Sequence, residues 1–257
     1  MTGHRIEALR AGRPRGRLSW LHPRDLPDPH APHETRANAV LRPVVFGAND
    51  GLVSNLALVM GVAGANPEPG VIVLAGIAGL IAGAFSMGVG EFVSVQSQHE
   101  LLDYQLAFQH HQLREAPDHE RAILCEIYRR RGLSEAEAEH FVDRIFANPE
   151  SAAELLIFEE VGLDERSIGS PWAAAIGSFL AFTLGAAVPL VPYLLASGGV
   201  AFWTSLAASL AALFLLGLSI SRLTRRSPLR TAVRQLLLGG VAALITFGVG
   251  TLVGVRV

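Results

Sequence analysis

Asp50 and Glu91 stand inside apolar runs long enough to cross a bilayer: VVFGANDGLVSNLALVMGVAGA for the first and IAGLIAGAFSMGVGEFVSV for the second. A carboxylate at membrane depth costs several kcal/mol unless it faces a wet cavity, a partner or a cation. Met87 lies four residues before Glu91 and so on the same helix face. Carboxylate oxygen alone suits Mg²⁺ or Ca²⁺, whereas a polarizable thioether beside it shifts the preference toward later first-row ions such as Fe²⁺. Binding of a divalent transition-metal ion within the membrane is the chemistry these three residues suggest. Each also has a plainer reading. Met87 can fill core space. Asp50 can cap a helix broken at Gly47 and Gly51, with Asn49 satisfying the freed backbone groups. Glu91 can snorkel to the interface.

The elements that must position these residues are long and apolar. Half of the 257 residues are hydrophobic, and the mean hydropathy is +0.36. The apolar residues cluster into spans 43–65, 70–95, 172–196, 200–221 and 236–255. Each approaches or exceeds the roughly 20 residues that cross about 30 Å of hydrocarbon. None alternates with period two, which argues against a membrane barrel. The expected fold class is all-α: a polytopic membrane protein with five transmembrane helices and a small cytosolic helical insert. Its divisions are a disordered cytosolic tail (1–42), helices 1 and 2 (43–98), an acidic helical insert (99–170) and helices 3–5 (171–257).

The net charge of −2 conceals an asymmetry between an acidic insert and Arg-rich flanks. Arg36 and Arg42 precede the first span, and Arg222, Arg225, Arg226, Arg230 and Arg234 lie between the fourth and fifth; loops 66–69 and 197–199 carry none. The positive-inside rule then puts the N-terminus and the insert in the cytosol and the C-terminus outside. In that orientation Asp50, seven residues past Pro43, lies about 10 Å into the bilayer. Met87 comes to a similar depth, with Glu91 one turn nearer the cytosol. The first 42 residues have no apolar segment and do not read as a secretory signal peptide. Cys125, the single cysteine, permits neither an intrachain disulfide nor a zinc site built on cysteines. No nucleic-acid-binding pattern accompanies the arginines. With no nucleophile–base constellation, phosphate loop or complete di-iron set, the chain does not read as an enzyme.

Two motifs bear on helix packing. Gly79-x-x-x-Gly83 gives span 2 a small-residue face for close approach. Pro189 and Pro192 predict a kink, an unwound turn or a helix end in span 3. In the insert, span 2 is expected to continue as helix up to Pro117, followed by helices over 120–131, from Ser134 with Glu137 completing a capping box, and over 150–161. The insert also holds His99, His110, His111, His119 and His140; with the acids these form either a cation site or a solvated face.

VVFGANDGLVSNLALVMGVAGA followed by AGAFSMGVGEFVSVQSQHE resembles the first two helices of the vacuolar iron transporter family. TLGAAVPLVPYLL and LLLGGVAALITFGVG resemble its third and fifth, so the similarity runs from about residue 40 to 257. The resemblance implies a homodimer in the lipid bilayer that exports Fe²⁺, and Mn²⁺ as well, from the cytosol in exchange for protons, with the pathway at the dimer interface and no organic cofactor. It implies that Asp50 and Met87 coordinate the metal and that Glu91 belongs to the same motif. It further implies metal-gathering glutamates in the insert, matched by Glu120, Glu126 and Glu160. The chain departs from that pattern at Gln105, Gln109 and Gln112, which stand at glutamate positions, and at Leu156 and Ile157, where some members carry methionine. A neutral amide is a poor ligand for Fe²⁺ beside a carboxylate. These departures leave a second reading, a membrane metal sensor or scaffold without transport.

Overall fold

The computed structural model describes residues 35–160, 168–224 and 226–254. Among these, eight helices and no strand occur: α1 (Thr35–Gly64), α2 (Pro69–Glu115), α3 (Pro117–Arg130), α4 (Glu135–Phe146), α5 (Pro149–Glu160), α6 (Pro171–Leu195), α7 (Gly198–Thr224) and α8 (Pro228–Gly254). Five of them are long and apolar enough to cross a membrane: Leu41–Gly64, Gly70–Glu115, Pro171–Leu195, Gly198–Arg222 and Pro228–Gly254. The expected all-α polytopic architecture is the one observed. Helices are the form such sequences must take, because a helix satisfies its own backbone polar groups where lipid offers no partner.

The boundaries carry several corrections. α1 begins at Thr35, so the last residues of the 1–42 segment are helical; residues 1–34 lie outside the described ones. It runs unbroken through Gly47, Asp50 and Gly51, so Asp50 caps no break. α6 likewise continues through Pro189 and Pro192 and ends only at Leu195, where the Ala196 amide donates to the Pro192 carbonyl at 2.9 Å. α8 starts at Pro228, about two turns earlier than the apolar run suggests. Its first turns carry Arg230 and Arg234, both exposed, and an arginine at the interface is no obstacle to helix.

α1 is the hub, packing most extensively on α6 and α8 and less on α2 and α7. α1 and α6 run parallel in a fixed register. A Cβ on Gly47 would stand 2.7 Å from the Ser178 carbonyl oxygen, and one on Gly51 would stand 2.9 Å from the Phe182 carbonyl carbon. One turn on, the Asn55 side chain hydrogen-bonds the Ala186 carbonyl at the same offset of 131 residues. Glycine at these crossings lets two backbones approach closely, which is how membrane helices gain packing energy without a hydrophobic drive between them. Leu56, Val59 and Met60 of α1 form a core with Tyr193, Leu213 and Ala243. The outward faces expose Leu74, Leu184, Leu244 and Leu252, as lipid-facing surfaces do.

At 47 residues, α2 is about 70 Å long and exceeds any bilayer. Its distal part meets α5, and α3, α4 and α5 pack into a small bundle around Leu124, Val142 and Leu156. Ser134 and Glu137 form the predicted capping box at the start of α4. Leu156 and Ile157 are fully buried in this bundle, so the two positions at which the resemblance leads one to expect methionine serve as core here.

Candidate metal-ion groove

α1 and α2 present matching stripes to one another. On α1, Phe46, Asp50, Ser54 and Leu58 recur every fourth residue; on α2, Gly79, Gly83, Met87 and Glu91 do the same. With Asn55, Ser86, Gly90 and Phe182 these residues line a single open groove of about 440 Å³. Asp50, Met87 and Glu91 are therefore brought together as neighbours of one cavity, and all three are partly buried. Gly79 and Gly83 are part of its lining. A Cβ on Gly83 would stand 3.1 Å from a ring carbon of Phe182, so the small-residue stripe makes room for both helix approach and the groove.

The donor set is mixed. Two carboxylates and one thioether face the groove, together with hydroxyl and carboxamide oxygens. Ser54 donates its hydroxyl to the Asp50 carbonyl at 2.6 Å, which leaves the oxygen lone pairs as acceptors. Asn49, next to Asp50, does not satisfy freed backbone groups; its Oδ1 accepts a hydrogen bond from Gln235 Nε2 of α8 at 2.9 Å. Asp50 is thus flanked on one side by a side-chain tie to α8 and on the other by the glycine contact to α6. Asn55, Ser54, Ser86 and Phe182 were not singled out from the sequence. A lone Asn in NLALVM was the one available signal, since a buried amide in an apolar span requires partners.

The acids of the bundle are arranged differently. Glu126 is exposed and bonded to Arg130 at 2.8 Å, and that guanidinium holds its carboxyl below the usual glutamate range. Glu120 is buried in the first turn of α3. The side chain of Glu160 lies outside the described positions. Glu159 also has a buried carboxylate, which accepts from Arg131 at 2.6 Å and from the Tyr128 hydroxyl at 3.0 Å. The Arg131 guanidinium also lies 5.4 Å from the Tyr128 ring centre, a cation–π distance. Burial, followed by Glu159, pushes the Tyr128 phenol up. His99 reaches the Gly169 carbonyl at 3.0 Å and ties α2 to the approach to α6. Among the described residues no three of His, Cys, Asp and Glu gather closely enough to hold a metal ion. In a single chain, the groove offers two carboxylates and no third.

Known proteins match the sequence over most of its length. The chain is 28% identical over 221 residues to vacuolar iron transporter 1 of Arabidopsis thaliana, covering 86% of this chain and 88% of the relative. It is 30% identical over 222 residues to vacuolar iron transporter 2 of Oryza sativa subsp. japonica, covering 86% and 90%. A vacuolar iron transporter of Plasmodium berghei is 28% identical over 235 residues, covering 88% and 86%. The sequence profile of the VIT family matches residues 41–251, from the first turns of the α1 span through the grooved α1–α2 pair and the bundle into the last turns of α8, and the chain belongs to that family.

Proposed function

We propose that the protein moves Fe²⁺, and Mn²⁺ by the same route, out of the cytosol in exchange for protons. The observation that carries this reading is the meeting of Asp50, Met87 and Glu91 in one groove between two membrane-spanning helices. The names of its relatives support iron as the cargo. Asp50 and Met87 hold the ion, a carboxylate–thioether pair being suited to a borderline first-row cation. Glu91 receives it from the cytosolic side. A carboxylate binds either a metal ion or a proton, and binding one displaces the other, which supplies the exchange. No part of this scheme calls for enzyme chemistry, in keeping with a family of membrane transporters.

The working unit in this reading is a homodimer with the groove at its interface. Two carboxylates and a thioether leave a divalent ion short of a full coordination shell. A second copy facing the open side of the groove supplies the rest. The N-terminus and the bundle lie in the cytosol, as the arginine distribution supports.

The test is Fe²⁺ and Mn²⁺ uptake into proteoliposomes under a pH gradient, with Asp50→Ala and Met87→Ala beside the wild type. Gradient-driven uptake by the wild type that Asp50→Ala abolishes while still eluting as a dimer is the expected result. Folded wild-type protein that moves neither ion refutes transport and leaves a sensor or scaffold.

A further inference from the structure

Asn55 is 2% exposed and lies at membrane depth beside the groove. Its amide nitrogen donates to the Ala186 carbonyl oxygen at 2.7 Å. That partner only accepts, so the nitrogen must be the atom facing it, and the orientation of the amide follows from chemistry. Oδ1 is thereby turned away from α6. It has no hydrogen-bond partner among the described residues, and a buried acceptor left without one is costly. What Oδ1 meets is the bare backbone of Gly79, where a Cβ would stand 3.0 Å from it. Both residues line the groove that holds Asp50 and Met87.

We propose that Asn55 Oδ1 is a cation-coordinating oxygen of this groove, receiving the ion directly or through one of its waters after it leaves Asp50 and Met87. The proposal rests on the groove being a divalent-cation path and adds to it a neutral, hard ligand. Asn55 is five residues beyond Asp50, about 7.5 Å along α1, toward the loop that joins α1 to α2. An uncharged oxygen holds a divalent ion more weakly than a carboxylate, and conduction needs sites that release as well as bind. A carboxamide oxygen also favours Mn²⁺ and Fe²⁺ over softer ions such as Cd²⁺, in contrast to the Met87 sulfur. Asn55 therefore sets ion preference in the same groove where Met87 works the other way.

The experiment is Mn²⁺ and Cd²⁺ uptake into proteoliposomes by the full chain and five variants. Asn55→Leu removes both ends of the amide. Asn55→Asp keeps an oxygen but loses the donor to Ala186. Gly79→Ala keeps the amide and its bond to Ala186 and sets a methyl group before Oδ1. Leu58→Ala, alone and combined with Gly79→Ala, gives that methyl room against the one other side chain it crowds. The Mn²⁺-to-Cd²⁺ ratio is expected to fall about tenfold or more in Asn55→Leu and Gly79→Ala, the cost of removing a group that tunes a metal site. Asn55→Asp is expected to retain Mn²⁺ uptake, and calorimetric titration of Mn²⁺ into the detergent-purified variants should give the same order. A wild-type ratio in Gly79→Ala, with or without Leu58→Ala, overturns the proposal. So does an Asn55→Asp variant as impaired as Asn55→Leu, which would make Asn55 a packing residue for Ala186 alone. If the wild type moves neither ion, transport and this inference fall together. Wild-type uptake that is lost in Asp50→Ala but unmoved by Gly79→Ala sinks this inference only.

Discussion

Gln235 of α8 donates its side-chain amide to Asn49 Oδ1 at 2.9 Å, one residue before Asp50. The bond joins helices that meet elsewhere mainly through small residues, and both amides would otherwise face apolar surroundings. Side-chain hydrogen bonds between membrane helices are worth about 0.6 kcal/mol on average. Gln235→Leu and Asn49→Ala should each lower the unfolding temperature in detergent modestly, and the double variant should lower it by less than their sum. Strict additivity in that cycle would mean that the bond carries no coupling.

Gly51 tests the register of α1 on α6. A Cβ there would stand 2.9 Å from the Phe182 carbonyl carbon and 3.0 Å from its Cα, and backbone atoms cannot swing aside. Gly51→Ala should cost on the order of 1–3 kcal/mol through overpacking and reduce the monodisperse fraction on size exclusion. Gly248→Ala in α8, away from the groove, is the control, because a Cβ at Gly248 meets no atom within 4 Å. It should elute as the wild type does.

The buried Glu159 carboxylate holds Tyr128 and Arg131 together. Glu159→Ala leaves the Tyr128 hydroxyl without its acceptor, at a cost of about 1–3 kcal/mol. Hydrogen exchange should then quicken in α3 and α5 while α7 and α8 stay protected. Removing the carboxylate also takes away one of the influences raising the Tyr128 phenol. Its ultraviolet titration, isolated by difference against Tyr128→Phe, should shift to lower pH.

The capping box at α4 makes a pH prediction. The hydroxyl and amide of Ser134 both donate to the Glu137 carboxylate and hold its pKa below the ordinary glutamate value. A carboxyl whose folded pKa is lowered contributes stability that is complete above the unfolded pKa and lost as pH falls through the folded one. Acidification through and below the usual glutamate range should therefore weaken α4, with no change near neutrality. Ser134→Ala, costing about 1 kcal/mol as a lost N-cap, should flatten that acid dependence in a circular-dichroism melt.

Orientation can be read with thiols because the chain has one cysteine. Burial pushes the Cys125 thiol up, and a thiol that stays protonated reacts slowly, so Cys125→Ser makes a clean background. Ser197 and Ser227 are exposed at the two opposite ends of the membrane helices. Ser197→Cys should take an impermeant maleimide on intact cells, and Ser227→Cys only after permeabilisation. The opposite pattern would invert the proposed topology.

Most of the architecture could be read in advance because lipid simplifies the code. Long apolar runs must be helices, and no Gly or Pro stops α2 between Gly90 and Pro117. Helical spacing, with the orientation read from the arginines, set Met87 level with Asp50 and Glu91 one turn away, and these three do share a groove. What escaped were facts of tertiary contact. Gly47 and Gly51 look like helix breakers in a sequence, yet they are contact points against α6. Asn49 has a partner 186 residues away, and Asn55 gains meaning only from Ala186 on one side and Gly79 on the other. The start of α8 was missed because exposed arginines on its first turns masked a helix that does not need to be apolar there.

α2 runs without a break from Pro69 to Glu115. Met87 and Glu91 therefore share one backbone with Leu102 and Gln109, which are buried at the bundle end. A helix is stiff in torsion, so the groove and the bundle are two stations on a single shaft. Whatever repositions α2 where α5 holds it acts on the same helix that carries Met87 and Glu91.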